Sequence, residues 1–152
     1  MLSVIFMIKS KKEYNTIAII GCQSSGKSTL LNHIFKTDFE VMSDEKGRGQ
    51  TTQGIWAALN SEYSTIIFDV EGTDAKERGD ERFKFEQCSS LFALAMADVL
   101  LTNMWTNDIG RYTASNYGVL KIVFEQNLKL FQQESEKKIV IVLRDFNEFQ
   151  DD

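Results

Sequence analysis

The stretch GCQSSGKS, residues 21–28, matches the glycine-rich pattern G-x-x-x-x-G-K-S. A β-branched apolar run of strand length, Thr16 to Ile20, precedes it, and a run of helix formers follows it. Strand, glycine loop and helix is the context of a phosphate-binding loop, or P-loop. Glycines let successive backbone N–H groups point inward at an anion, and the positive end of the helix dipole adds to the attraction. The stretch therefore predicts a site for a nucleotide polyphosphate.

Residue types within this loop predict distinct roles. Lys27 supplies a mobile positive charge for the β- and γ-phosphates, and Ser28 offers a hydroxyl small enough to bind Mg²⁺. A chance match in a chain of this length has odds of roughly one in a hundred or less. The loop alone does not say which nucleotide it binds. The residues expected to contact it are Gly21, Gln23, Ser24, Ser25, Gly26, Lys27, Ser28 and Thr29.

Length and composition indicate one globular domain. The chain has 152 residues, of which 43% are hydrophobic and 26% charged. The net charge is −5 and no basic cluster exceeds two lysines, so we expect no nucleic-acid partner. The longest apolar stretch, residues 91–101, is interrupted by Asp98 and is too short to span a bilayer. Cys22 and Cys88 form neither a metal pattern nor a disulfide framework. We expect this chain alone to be soluble and cytoplasmic.

Two further segments are placed where a P-loop protein senses its third phosphate. Residues 37–53 are rich in charge and turn formers and predict a mobile loop, which ends in TTQGIW before a strand over 55–59. Thr52 at its end can reach Mg²⁺ and the γ-phosphate, although a threonine pair can also simply open a strand. The next strand, 64–68, is followed by Asp69, which predicts a metal ligand, and by Gly72, whose N–H can approach the γ-phosphate. The predicted metal ligands are Ser28, Thr52 and Asp69.

The remaining pattern predicts an α/β fold: a three-layer P-loop sandwich with a mostly parallel central sheet. Residues 73–82 predict a second mobile segment, and the apolar run 99–105 a strand buried on both faces. A strand over 139–143 has Arg144 and Asp145 at its carboxyl end. Helices are predicted over 27–36, over 83–97, and between the last two strands. Their predicted buried residues are Leu30, Leu31, Ile34 and Phe35 in the first, Phe85, Cys88 or Ser89, Phe92 and Met96 in the second, and Leu120, Phe124, Leu128 and Phe131 in the third.

Several separated stretches resemble one family. They are QSSGKSTLLNHIF, GRGQTTQGIW, DVEGTDAKERGD, SLFALAMADVLLTNMWTNDIGR and VLRD, between about Ile17 and Asp145. They are similar to the GTPase domain of the root hair defective three and Sey-type proteins, dynamin-superfamily relatives of the atlastins and, more distantly, of the guanylate-binding proteins. The resemblance implies GTP binding and hydrolysis with Mg²⁺, and nucleotide-driven dimerisation of G domains. It also implies homotypic fusion of endoplasmic reticulum tubules by an intact protein on the cytosolic face of that membrane.

The resemblance also implies residue roles. Lys27 and Ser28 match the P-loop lysine and the Mg²⁺ ligand, Thr52 matches the switch threonine, and Asp69 and Gly72 match the third motif. Arg144 and Asp145 match an Arg-Asp motif that binds the base. The Asp145 carboxylate would accept guanine N1–H and N2–H, which adenine cannot offer together.

The loop departs from its relatives at the position that stabilises transition-state charge. Atlastins and guanylate-binding proteins carry an arginine where this chain has Ser24, beside Gln23. Such an arginine contributes on the order of a thousandfold or more. We expect Ser24 to help hold a monovalent cation or a water there instead, with Arg48 as a competing candidate. The predicted catalytic residues are Lys27, Ser24, Thr52, Gln23 and Arg48, and Thr51 or Thr52 is expected to orient the attacking water.

Length separates the chain from the family. Residues 1–15 are predicted to be an extension, and 16–152 a C-terminally incomplete G domain. A family G domain continues past the Arg-Asp motif to a guanine-capping loop, further strands, a helical bundle and a membrane hairpin, so we expect a fragment or an incomplete paralogue with an exposed last strand. The competing interpretation is a nucleotide-binding or interaction module without turnover, and a third is an ATPase.

Overall fold

The architecture is given by a computed structural model that describes residues 13–41, 54–70, 72, 79–109 and 137–145. The predicted helix between the last two strands lies outside these ranges, as do Arg48, Thr51 and Thr52. No helix in the described ranges combines the length and the apolar character needed to cross a bilayer. The elements, in chain order, are β1 (Asn15–Gly21), α1 (Lys27–Phe35), β2 (Ile55–Asn60), β3 (Thr65–Val70), α2 (Gly79–Met96), β4 (Val99–Trp105), a 3₁₀ turn (Thr106–Asp108) and β5 (Lys138–Arg144).

These strands form one mostly parallel sheet. Their order is β2-β3-β1-β4-β5. The pairs β1–β3, β1–β4 and β4–β5 are parallel, and only β2, in the described sheet, runs antiparallel to its neighbour. The carboxyl ends of β1, β3, β4 and β5 therefore meet at one edge, where open α/β sheets bind their ligands.

Helices cover both faces of the sheet, which confirms the predicted three layers. On one face, Ala18 and Ile20 of β1 pack with Ala93 and Leu94 of α2. On the other, Ile19 of β1 packs in a cluster with Leu31 of α1, Phe39 after that helix, Ile67 of β3 and Leu101 of β4. Because side chains alternate along a strand, positions 69 of β3 and 103 of β4 share the α1 face. That face leads to the P-loop.

The buried side of α2 differs from the prediction. Phe92 and Met96 are 38% and 42% exposed, and Cys88 is exposed as well. Mostly small side chains face the sheet instead, and they let the helix approach it closely. The buried residues of this segment are Ser89, Ser90, Ala93 and Leu94 of α2, and Ala97 directly after it. The prediction was wrong for Phe92 and Met96 because it gave weight to large apolar residues, whereas Ser89, the alternative to Cys88, is buried. Phe92 still contacts the core, with its ring edge-on to Phe68 at a centroid distance of 5.6 Å.

Two smaller corrections concern the helices. Ile34 of α1 is 49% exposed, whereas Leu31 is fully buried. Hydrophobic spacing identifies the side of a helix that faces the core, but not how far the sheet extends beneath it. Helix α2 begins at Gly79, so the backbone of residues 79–82, predicted to be mobile, is helical.

Candidate nucleotide-binding site

The P-loop connects the carboxyl end of β1 to the N-terminus of α1. Its backbone has positive φ at Gly21 (152°), Ser24 (59°) and Gly26 (79°). Gly26 precedes the helix, and its carbonyl accepts the first helical hydrogen bond, from Leu30 N at 3.0 Å. A serine in the left-handed region costs on the order of 1 kcal/mol, so surrounding contacts must hold the loop in this shape.

The Cys22 carbonyl is the acceptor around which the loop closes. Ser25 Oγ and Lys27 Nζ each donate to it at 2.8 Å, and Ser25 N lies 3.4 Å away. Lys27 is only 7% exposed. Its ammonium is therefore held inside the loop, where a phosphate oxygen would be a stronger, charged acceptor.

Ser28 and Asp69 bring two oxygen donors together beside the loop. Ser28 Oγ donates to Asp69 Oδ2 at 2.5 Å, and Asp69 is fully buried. The first turn of α1 contains no acidic residue, so its dipole remains available to an anion. Hydroxyl and carboxylate oxygens are ligands that Mg²⁺ prefers, and the pair therefore fits that ion.

A metal here would need ligands from outside the described side chains. The described ranges contain no group of three or more His, Cys, Asp or Glu side chains placed to hold a metal. Mg²⁺ commonly takes one or two protein ligands and completes its shell with phosphate and water. The third predicted ligand, Thr52, lies outside the described ranges.

Gly72 lies directly against the loop. A Cβ built on it would come within 2.4 Å of Gln23 Cα and 2.9 Å of Lys27 Nζ. No side chain fits in that space, so glycine is required by the close approach of two backbones.

Arg144 approaches the loop from the end of β5. A Cβ built on Gly26 would lie 3.2 Å from Nη2 of Arg144. The backbone carbonyl of Arg144 accepts a hydrogen bond from Thr106 Oγ1 at 2.7 Å. Asp145 follows with φ 55° and an exposed side chain. Three parallel strands thus bring the P-loop, Asp69 and Arg144 to one edge of the sheet.

The other predicted contact residues have different exposures. Gln23 is half-buried, and Ser24 and Thr29 are exposed. Arg48 and Thr52 lie outside the described ranges, so the structure does not relate them to the loop.

Asn103 is a loop contact that the sequence interpretation missed. It lies on β4, and its Nδ2 donates to Ser25 O at 2.8 Å and to Ser25 Oγ at 2.9 Å. The signal that could have found it is the polar pair Thr102-Asn103 inside an otherwise apolar strand.

Comparisons with known sequences agree on one family. Residues 20–150 match the model for the GTPase domain of root hair defective 3 GTP-binding protein. The chain is 55% identical over 135 residues to SEY1 homolog 1 of Trichomonas vaginalis and 52% identical over 134 residues to the SEY1 homolog of Dictyostelium discoideum. These alignments cover 88% and 85% of the chain, but only 17% and 15% of the relatives. The chain thus spans about a sixth of the length of the curated relatives that it matches.

Solved structures show the same fold at low sequence identity. NFeoB from S. thermophilus bound to mGMPPNP matches with a TM-score of 0.55 at 19% identity, over 85% of this chain and 43% of that one. An Era variant from Aquifex aeolicus bound to GDP·AlF4⁻ matches with a TM-score of 0.53 at 20% identity, over 87% of this chain and 52% of that one. At these identities the likeness shows the P-loop fold and no more.

Proposed function

The chain belongs to the family of root hair defective 3 GTPase domains, and on that premise we propose that it binds GTP with Mg²⁺ and hydrolyses it to GDP and phosphate. One observation carries the proposal: Lys27 and the Ser28–Asp69 pair, with its 2.5 Å contact, converge on a glycine loop at the carboxyl edge of the sheet. A mobile cation, a hydroxyl and a carboxylate are the groups that phosphoryl transfer requires there.

The proposed reaction is in-line attack of water on the γ-phosphate. The chain contributes positioning and electrostatic stabilisation, without covalent chemistry. Loop N–H groups bind the phosphates, and Lys27 transfers its donor from the Cys22 carbonyl to the phosphate oxygens. Ser28 and Asp69, with Thr52, would hold Mg²⁺, which when bound neutralises charge on those oxygens. Thr51 or Thr52 would orient the attacking water.

Transition-state charge requires a further stabilising group, because the loop has no arginine. We propose a monovalent cation or a water held with the help of Ser24 and Gln23, and Arg48 is the competing group. Two features of Ser24 support this proposal. Its side chain is exposed and so can meet an ion or a water, and its φ of 59° lies in the left-handed region, unlike those of Gln23 and Ser25.

Guanine selection is assigned to Arg144 and Asp145. The position of the Arg144 guanidinium beside Gly26 supports a base site next to the phosphates. The bidentate contact from Asp145 would discriminate against adenine.

A protein of the length of the Sey-type relatives would use such a domain at a membrane. We propose that GTP-driven dimerisation of G domains powers homotypic fusion of endoplasmic reticulum tubules, from the cytosolic face of that membrane. The similarity to Sey-type proteins over most of the chain supports this proposal.

Mant-GTP titration followed by a phosphate-release assay tests the enzyme assignment. The unmodified chain should bind mant-GTP, release phosphate, and lose the probe to GTP but not to ATP. Lys27→Ala removes the mobile charge and should lower kcat/KM by about a hundredfold or more. His33→Ala, an exposed change on the same helix, is the matched control and should be neutral.

Three results would overturn parts of the assignment. Binding without phosphate release leaves the non-hydrolysing module. Equal displacement by ATP and GTP leaves an ATPase. Equal turnover in the Lys27→Ala variant and the parent removes the P-loop mechanism altogether.

A further inference from the structure

Asn103 is a buried amide on the face of β4 that leads to the P-loop. Its side chain is fully buried, and its Nδ2 donates to both Ser25 O and Ser25 Oγ. The orientation of the amide follows from chemistry, because a backbone carbonyl can only accept and therefore faces the NH₂ group. The side chain is not accessible to solvent, and among the described residues its Nδ2 donates only to the loop.

These bonds form a directed chain into the centre of the loop. Ser25 Oγ accepts from Asn103 Nδ2 and donates its single proton to Cys22 O at 2.8 Å. Asn103 thus sets the direction of the Ser25 hydroxyl. When Lys27 leaves the Cys22 carbonyl for a phosphate, that carbonyl keeps the hydroxyl as its partner, and the loop keeps its shape.

The start of the loop is tied to the same residue. Gly21 pairs with Asn103 in the β1–β4 register, and a Cβ built on Gly21 would lie 2.2 Å from Asn103 O. Any side chain at position 21 would force the two strands apart. Position 103 therefore lies against the first residue of the loop through its backbone, as any residue there would, and Asn103 contacts the middle of the loop through its side chain.

Stability of the core does not account for an asparagine at this position. Asn103 Oδ1 is buried and has no hydrogen-bond partner among the residues that the structure describes. A buried acceptor without a partner is costly, and an apolar side chain of the same shape would avoid that cost. The benefit of an asparagine at this position must therefore come from its two hydrogen bonds to Ser25 in the P-loop.

We propose that Asn103 is a positioning residue for nucleotide binding, which keeps the P-loop amides in their phosphate-binding arrangement through Ser25. The inference rests on the proposed function. Asn103 does not reach the nucleotide in this scheme, and it holds the loop in the same shape whether two or three phosphates are present. Its loss should therefore weaken ground-state and transition-state binding equally, which raises KM and leaves kcat nearly unchanged.

Asn103→Leu tests this, because leucine keeps the shape and removes both donors. Mant-GDP and mant-GppNHp should each bind about tenfold more weakly, by the same factor, because two hydrogen bonds to a buried loop are lost. The KM for GTP should rise by a similar factor, and kcat at saturation should stay within about twofold. The matched control is Thr102→Val on the same strand, which points to the other face.

Thr102 suits that control because it is 1% exposed and its Oγ1 has no partner among the described residues. Valine there should leave both affinities unchanged. Ser25→Ala should weaken binding as Asn103→Leu does. The double variant should lose less than the sum of the two, because the residues act through one chain of bonds.

The outcomes separate this inference from the proposed function. If the unmodified chain binds neither probe, the proposed function fails. If the unmodified chain binds both probes and Asn103→Leu binds them equally well, only the role of Asn103 is overturned. The same holds if kcat of Asn103→Leu falls while its KM for GTP stays constant. If Asn103→Leu does not fold, additive effects of Asn103→Ser and Ser25→Ala on mant-GDP affinity would overturn it.

Discussion

The two ends of the central strands carry polar networks of opposite character. At the amino end, Thr16 N and Thr16 Oγ1 both donate to Asp98 Oδ2 at 2.7 Å, and Asp98 N donates back to Thr16 O at 2.9 Å. Lys137 Nζ completes this end by donating to three carbonyls at the end of α2, those of Leu94, Ala95 and Ala97. A cation there also complements the helix dipole.

The carboxyl end uses similar groups in a different way. There Lys27 donates to a carbonyl of a glycine loop, and Asp69 accepts from a serine at a helix N-terminus. Both partners can be exchanged for stronger ones, since a phosphate outcompetes a carbonyl for the lysine and a metal outcompetes a hydroxyl for the carboxylate. At the amino end each donor already has the acceptor that the fold provides.

This difference teaches that burial and hydrogen bonding alone do not distinguish a ligand-binding site from a polar network that only stabilises the fold. What distinguishes them is whether the partners of a charge can be replaced by a ligand. Changes to the exchangeable partners at the carboxyl end should therefore alter turnover at constant stability, and changes at the amino end should alter stability at constant turnover.

Among the changes that compare the two ends, the largest effect is expected at the carboxyl end, from the monovalent cation. Replacing potassium by sodium or choline should change kcat for GTP by about tenfold or more, because the cation substitutes for a transition-state arginine. The melting temperature of the nucleotide-free chain should not move. Arg48→Ala should hydrolyse GTP at the parental rate, as measured by phosphate release.

The reverse pattern would eliminate the cation. Turnover that is indifferent to potassium and sodium but collapses in Arg48→Ala would assign the charge to the arginine. If cation exchange shifts the melting temperature together with kcat, the carboxyl end affects stability as well as turnover, which contradicts the proposed difference between the two ends.

A middle-sized effect is expected at the amino end, from Lys137→Met. Methionine keeps most of the apolar stem and removes the three donors to the end of α2. The free energy of unfolding should fall by about 1 kcal/mol, and Tm by about 3 °C for a domain of this size. The KM for GTP should be unchanged.

Lys138→Met provides the control for that variant. Lys138 is the next residue, and its side chain is exposed at the start of β5. Its substitution should leave Tm in place. If both variants melt at the parental temperature, the hydrogen bonds from Lys137 do not stabilise the amino end. If Lys137→Met raises KM without lowering Tm, the two ends are not independent.

The P-loop and the strand ends could be predicted because their signals are local. Residues 21–28 carry their own context of strand and helix, and a carboxylate at the end of a buried parallel strand must lie at the same edge as the loop. The structure accordingly brings Ser28 and Asp69 into contact.

Asn103 could not be predicted because its role depends on register. Its contact with the loop requires that β4 lie beside β1 with Gly21 opposite position 103, a pairing between residues 82 positions apart. The sequence does not state that pairing. The buried face of α2 was mispredicted for a related reason, since Ala93 and Ala97 are buried by a close helix–sheet approach that the periodicity of large side chains does not report.

The smallest expected effect concerns pH at the amino end. Burial lowers the pKa of Lys137, and the nearby Asp98 carboxylate opposes this by raising it. The folded chain therefore releases this proton at a lower pH than the unfolded chain does. Between the lowered pKa and its ordinary value the unfolded state binds more protons, so stability should rise slightly as pH is raised through that window.

Urea midpoints of the parent and of Lys137→Met, measured from about pH 8 to about pH 11, isolate this contribution from other titrating groups. The stability difference in favour of the parent should grow with pH, and only slightly, because the side chain is partly solvated. A difference that shrinks would mean that the ammonium form is the better donor to the α2 carbonyls. The amino end would then depend on charge as the carboxyl end does, and exchangeability of partners would be the only remaining contrast between them.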